Sequence, residues 1–203
     1  MEMIFDERRL NPRYEIIEGV KRYMAVAAPI LNHGKIVVNI CNIFGNYFEK
    51  HGSGEVFHDN TDVHLPDGNL FRPDVSVVCD LSIADRYGNI NGVPDLIVEV
   101  LSRSTEKNDR GIKKDVYERN GVKEYWIVNP KNKDIEVYHL VEGKFVLDEL
   151  YHIFTTHEWE MLEPEERAAV KYELKVSLFD DLNIDIRKVF KWWGEPLPPI
   201  FSV

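Results

Sequence analysis

Apolar and polar positions along this chain alternate between two spacings, and the changes of spacing mark out its elements. Tyr14-Glu15-Ile16-Ile17 and Lys21-Arg22-Tyr23-Met24-Ala25-Val26 flank Glu18-Gly19 and predict an opening hairpin that Pro29 ends. Over residues 32–50, Ile36, Val37, Ile40, Ile43, Phe44, Tyr47 and Phe48 recur at helical spacing, with Asn32 placed to cap the helix. Val56, His58, Asn60 and Asp62 then alternate with Phe57, Asp59 and Thr61, which predicts a strand over 55–65 before the turn Pro66-Asp67-Gly68-Asn69. Residues 74–80 read as a strand, and a polar loop joins it to Pro94-Asp95-Leu96-Ile97-Val98-Glu99-Val100-Leu101, a strand buried on both faces. A short helix opens at Asp109 and stops at Asn120-Gly121. Residues 124–128 and 135–140 form a strand pair across a turn, followed by a strand near 145–151, an acidic stretch over 158–166 and a helix near 186–193. No internal repeat or linker is visible.

This order predicts an α/β fold, a central mixed sheet flanked by helices with the hairpin added at the N-terminal end. The strand that follows the short helix is expected to lie parallel to the 94–101 strand through a crossover. A length of 203 residues and a hydrophobic content of 44% suit one domain over 1–203, its core at about 32–140. Cys41 and Cys79, the only two cysteines, have no metal-knuckle or disulfide spacing and read as buried thiols. The scattered histidines have no zinc spacing. The start MEMIFDERRL has no signal-like region and no run approaches a membrane span, so a cytoplasmic location with no membrane partner is expected. A net charge of −10 argues against broad adhesion to nucleic acid, although it leaves room for a local basic cleft.

The 94–101 strand holds a carboxylate in its middle, where an unpaired charge would cost several kcal/mol. Alternation puts Asp95, Ile97, Glu99 and Leu101 on one face and Leu96, Val98 and Val100 on the other. If the strand beginning after Pro73 is its neighbour, Asp74 and Glu99 converge, and their mutual repulsion calls for a cation. Mg²⁺ or Mn²⁺ suits such a pair, because a hard ion takes one or two carboxylates plus waters and a phosphate oxygen. On the short helix the wheel turns Lys113 toward the sheet and Lys114 outward. Asp109, one turn before Lys113, can pair with it or cap the helix.

The segments RPD at 72–74, PDLIVEV at 94–100 and DRGIKKDVYERNGVKEYWIVNP at 109–130 resemble the Uma-two family. That group is similar to the PD-(D/E)XK superfamily and its restriction-endonuclease-like fold. The resemblance runs from YEIIEG at 14–19 to the tail helix. It implies metal-dependent cleavage of phosphodiesters, with DNA the expected partner, Asp74 and Glu99 as Mg²⁺ or Mn²⁺ ligands and Lys113 orienting the attacking water. Leu101 stands where the superfamily places its lysine, and the Uma-two pattern moves that lysine onto the helix, at Lys113. Glu18 and His33 match further family positions near the site, and Asp95 is a third secondary candidate. Pairing into a homodimer follows by analogy with nucleases that cut both strands.

Structural readings stand beside these. Glu99 and Lys113 can be a buried salt bridge, Asp74 a post-proline strand start, Lys113 a snorkelling side chain, His33 a packed helix-start residue, Glu18 a turn residue and Asp95 a strand-opening residue. Tyr117, Tyr125 and Trp126 read as core aromatics, and residues 158–166 as a solvated face. The alternative function is an inactive member of the fold that binds nucleic acid or protein. A hydrolase for small phosphate esters is a third possibility.

Overall fold

A computed structural model describes residues 14–23, 31–192, 194 and 196–201. The hairpin is present: β1 (Tyr14–Ile17) and β2 (Val20–Tyr23) pair antiparallel. Glu18 and Gly19 both have positive φ, 52° and 73°, the twist that two-residue hairpin turns favour and that glycine adopts without a Cβ clash. Val26 and Pro29 lie outside the described residues. The first long helix, α1, spans Leu31–His51. Asn32 is therefore one residue inside it and not at its cap. Ile36, Val37, Ile40, Phe44 and Phe48 form its buried stripe.

The strand expected over 55–65 is two strands, β3 (Glu55–His58) and β4 (Val63–His64), which belong to different sheets. A turn separates them, closed by the Thr61 N–H donating to the His58 carbonyl at 2.9 Å. Next come β5 (Leu70–Phe71), β6 (Val75–Val78), β7 (Ile90–Asn91) and β8 (Leu96–Val100). The short helix begins earlier than Asp109: α2 (Glu106–Asn108) runs through a π-helical turn at Asp109–Lys113, irregular at Gly111, into α3 (Lys114–Asn120). Gly121, at φ 87°, ends α3 in the left-handed conformation.

The long strands β9 (Glu124–Asn129), β10 (Asp134–Val141) and β11 (Lys144–His152) follow. The acidic stretch forms two short helices, α4 (Thr156–Met161) and α5 (Pro164–Ala169), each opened by a capping box. The tail adds β12 (Glu173–Lys175), β13 (Asn183–Asp185) and α6 (Ile186–Val189). α6 is shorter than the helix expected over 186–193. Asn39 of α1 donates to the carbonyls of Val189 and Lys191, each at 2.9 Å, which satisfies them without a further helical turn. Trp193 is outside the described residues.

The main sheet has the order β11-β10-β9-β8-β6-β3, with β8 and β9 parallel and every other pair antiparallel. This is the mixed sheet and the parallel crossover that the pattern predicts. α1 and the tail cover one face, where Leu96, Val98, Val100, Trp126 and Val128 are buried. Ile97, Leu101, Tyr125 and Ile127 point to the other face, toward α3 and residues of the smaller sheet β2-β1-β5-β4-β7. Cys41 is half-buried and Cys79 exposed. Cys79 follows the last residue of β6, where the chain leaves the sheet, so the expectation of two buried thiols fails there. Among the described residues no helix is long and apolar enough to cross a membrane.

Candidate functional site

The chain leaves the smaller sheet at Phe71, passes through Arg72-Pro73-Asp74 and enters the main sheet as β6. This crossing puts Asp74 just before Val75, whose partner is Val98, so Asp74 comes beside the C-terminal end of β8. There its Oδ2 accepts the Val100 N–H at 2.7 Å, and His33 Nε2 of α1 lies 3.2 Å from the same oxygen. Burial works against a charge on His33, but the hydrogen bond and charge of Asp74 outweigh it and hold the imidazole above its ordinary value.

Glu99 is 2% exposed. Its Oε1 accepts from Lys113 Nζ at 3.0 Å and from the Tyr117 hydroxyl at 2.9 Å. The same ammonium lies 3.3 Å from Asp109 Oδ1 and 3.3 Å from Glu15 Oε1. Glu15 in turn accepts the Arg72 N–H at 3.4 Å. Neither carboxylate oxygen of Asp109, which is fully buried, makes a hydrogen bond that meets ordinary geometry. Its backbone carbonyl accepts from the Tyr125 hydroxyl at 2.9 Å, so that ring anchors the π-helical turn.

The electrostatics follow from this crowding. Four carboxylates, Glu15, Asp74, Glu99 and Asp109, act on one ammonium and on one another. Burial, assisted by the neighbouring acids, pushes Glu99 well above the usual carboxylate range even though Lys113 pulls the other way. Asp109 rises for the same reasons. Burial opposes the charge of Lys113, yet Glu99, Asp109 and Glu15 together keep it protonated and well above its ordinary value. The hydroxyl of Tyr117 is also pushed up, first by burial and then by Glu99, so it serves as a donor.

Among the described residues, no group of three or more His, Cys, Asp or Glu is arranged to hold a metal ion. Lys113 occupies the middle of the acids. The oxygen-only donors Asp74 and Glu99 do suit a hard ion that is bound by two carboxylates and keeps several waters. Neither Asp74 Oδ1 nor Glu99 Oε2 takes part in the hydrogen bonds described above.

Of the residues singled out by sequence, Glu99 and Lys113 are in direct contact, and Asp74 and His33 adjoin them at the strand end. Glu18 and Asp95 have other partners. Glu18 pairs with Arg119, and its N–H donates to Asn69 Oδ1 at 2.7 Å. Asp95 precedes the opposite end of β8, where it takes the Cys79 N–H at 2.8 Å and the Lys123 ammonium at 2.7 Å. Leu101 packs among apolar side chains behind the site. Sequence reasoning missed Glu15 and the hydroxyls of Tyr117 and Tyr125. Alternation in β1 puts Glu15 on the same face as buried Ile17, a signal that could have found it. A hydroxyl partner cannot be read from an aromatic in an apolar pattern.

Comparisons with known proteins agree with this architecture. The Uma2 family model, described as "Putative restriction endonuclease", matches residues 3–176. An uncharacterized protein of Synechocystis is 32% identical over 135 residues, 66% of this chain and 69% of that protein. A crystal structure from Anabaena variabilis, described as "a putative nuclease belonging to DUF820", shares the fold at a TM-score of 0.64 and 18% identity, covering 88% of this chain and 90% of that one. With a family match over most of its length and a site built from the segments that carry the resemblance, this chain belongs to the Uma2 family.

Proposed function

We propose that the protein is a divalent-metal-dependent endonuclease that hydrolyses phosphodiester bonds in nucleic acid, with DNA as its substrate. One observation carries this reading: four buried or half-buried carboxylates meet at a strand end around a single ammonium. Such a cluster is short of positive charge, which an incoming cation supplies. Asp74 and Glu99 would hold Mg²⁺ or Mn²⁺. When bound, the ion supplies charge to offset that building on the phosphate and makes a water more acidic.

The chain's own groups do the rest. Lys113, kept protonated by Glu99, Asp109 and Glu15, presents positive charge toward the reacting phosphate and orients the water. Tyr117 holds Glu99 in one position by donating to Oε1. His33 and the Val100 N–H fix the orientation of Asp74. Glu15 and Asp109 position the lysine; in this reading they do not touch the substrate.

A second reading rests on the same network. Lys113 and Tyr117 already satisfy Glu99, as expected of a closed structural pair in a fold that binds a partner without cleaving it. Calorimetric titration with Mn²⁺ separates the two. A nuclease site takes up the ion, and Asp74→Asn or Glu99→Gln abolishes both uptake and cleavage of plasmid DNA. Ion binding or cleavage unchanged in those variants rejects the proposed mechanism, and no ion uptake by the unaltered protein favours the closed pair. Homodimer formation is part of the proposal for double-strand cutting. The edge strand β11, with Val146, Leu147 and Leu150 exposed, is the surface through which two copies could meet, and sedimentation tests it.

A further inference from the structure

A hollow of about 280 Å³ lies where the start of α1, the β9–β10 turn and the tail meet; Asn32, Lys35, Lys133, Phe190, Lys191 and Trp192 are among its lining residues. Asp and Glu outnumber Lys and Arg 35 to 25 in this chain, yet among the described residues no carboxylate lines this hollow. Among the described residues, Lys35, Lys133 and Lys191 make no ion pair; other surface lysines do, such as Lys123 with Asp95 and Lys171 with Glu149. Three unneutralised ammonium groups around one cavity are a site for a polyanion.

A second hollow of about 440 Å³ shares Lys133, Phe190, Lys191 and Trp192 with the first, so the feature is a groove longer than a single anion needs. Trp192, 37% exposed, offers an indole beside the lysines. Its backbone is anchored next door by the side chain of Asn39, which donates to the Lys191 carbonyl at 2.9 Å. The groove also lies close to the acidic cluster in topology. β8 and β9 run parallel with Val100 opposite Val128, so Glu99 and the turn carrying Lys133 are at the same end of the sheet. His33, in contact with Asp74, is next to Asn32 on α1.

We infer that this groove is the nucleic-acid-binding track of the protein, the lysines pairing with backbone phosphates and Trp192 stacking on an unpaired base as a single strand leads away from the acidic cluster. The inference rests on the nuclease reading for the identity of its ligand, and its test is independent of cleavage.

The test is fluorescence anisotropy of a labelled twelve-nucleotide oligothymidine with the full chain in EDTA, where metal-dependent cleavage is silent. Replacing Lys35, Lys133 and Lys191 together by Ala is expected to weaken binding by ~10-fold or more and to reduce the slope of log affinity against log salt by about 2. Arginine at the same three positions retains both. Trp192→Ala is expected to cost about tenfold, and Trp192→Phe much less. Circular dichroism checks that each variant is folded. An alanine triple variant with unchanged affinity and salt slope overturns the inference, as does a Trp192→Ala variant that binds normally while a duplex of equal length binds as well as the single strand. If the groove variants bind and cleave normally, the track falls and the nuclease reading stands. Strand binding that depends on the groove, in a protein that cuts nothing with metal restored, leaves the track and removes the nuclease.

Discussion

Two buried glutamates on neighbouring strands of the main sheet show what separates a structural acid from a candidate site. Glu124 opens β9 and Glu99 lies near the end of β8; β9 residue Glu124 faces Leu96 in register, so the two acids sit toward opposite ends of a parallel pair. Burial raises the pKa of both. Glu124 is surrounded by donors: Trp126 Nε1 at 2.6 Å, the Ser177 N–H at 2.8 Å and the Ser177 hydroxyl. It joins the tail to the sheet, and His139 Nε2 lies 3.8 Å from its Oε2. Glu99 instead shares one ammonium with other acids. A buried carboxylate is thus common to both places, and the crowding of acids around too little positive charge is peculiar to one.

That contrast can be broken most sharply at Glu99. Glu99→Gln keeps the Tyr117 and Lys113 donors partly served and is expected to lower metal-dependent cleavage by ~10³-fold or more, the scale of losing a group that stabilises transition-state charge. Glu124→Gln should cleave at the unaltered rate. Equal losses from the two variants in a plasmid-nicking assay would erase the distinction.

Removing the ammonium tests the next largest effect. Lys113→Met leaves Glu15, Glu99 and Asp109 without their shared partner and is expected to cost about 3–5 kcal/mol of stability in denaturant melts, the cost of stranding buried charge. The pH dependence has a definite sign. Because the fold raises the pKa of Lys113, its contribution is complete below the ordinary value of 10.5 and is lost as pH rises through the raised value. For Glu124 the fold binds the proton more tightly than the unfolded chain, so stability falls as pH climbs from the ordinary 4.5 toward the raised value. Glu124→Gln should flatten that decline at a cost of ~1–2 kcal/mol from its altered hydrogen bonds. A decline as steep as in the unaltered protein would assign the titration elsewhere.

The smallest effect is expected at the hairpin. Glu18→Gln disrupts an exposed pair with Arg119 and should change stability by less than ~1 kcal/mol and cleavage not at all. A large loss of cleavage would bring Glu18 back into the site.

Much of the fold could be read from side-chain spacing. Residues 32–50 show helical periodicity because one face must be apolar, and β8 shows its double burial in an uninterrupted apolar run. The break within 55–65 was hidden because His58, Asn60 and Asp62 continue the alternation through a turn. The start of the 106–120 helix is not legible in the sequence because Thr105-Glu106-Lys107 has no apolar stripe to announce it. Of the candidate site, Glu99 and Lys113 could be found from burial and helix phase. Glu18 is a candidate only through its match to a family position, whereas the alternation that buries Glu15 spans only four residues.

Alone, the amino-acid order determined where the long helix and the long strands form, which face of each is apolar, and that one acid is forced inside a strand. These are short-range matters, governed by backbone geometry and the exclusion of apolar surface from water. Only tertiary structure decided that Glu15, Asp74, Glu99, Asp109 and Lys113 share one place. Their meeting depends on strand order and on the passage of the chain between two sheets, and a Coulomb interaction depends on distance through space, which separation along the chain does not encode.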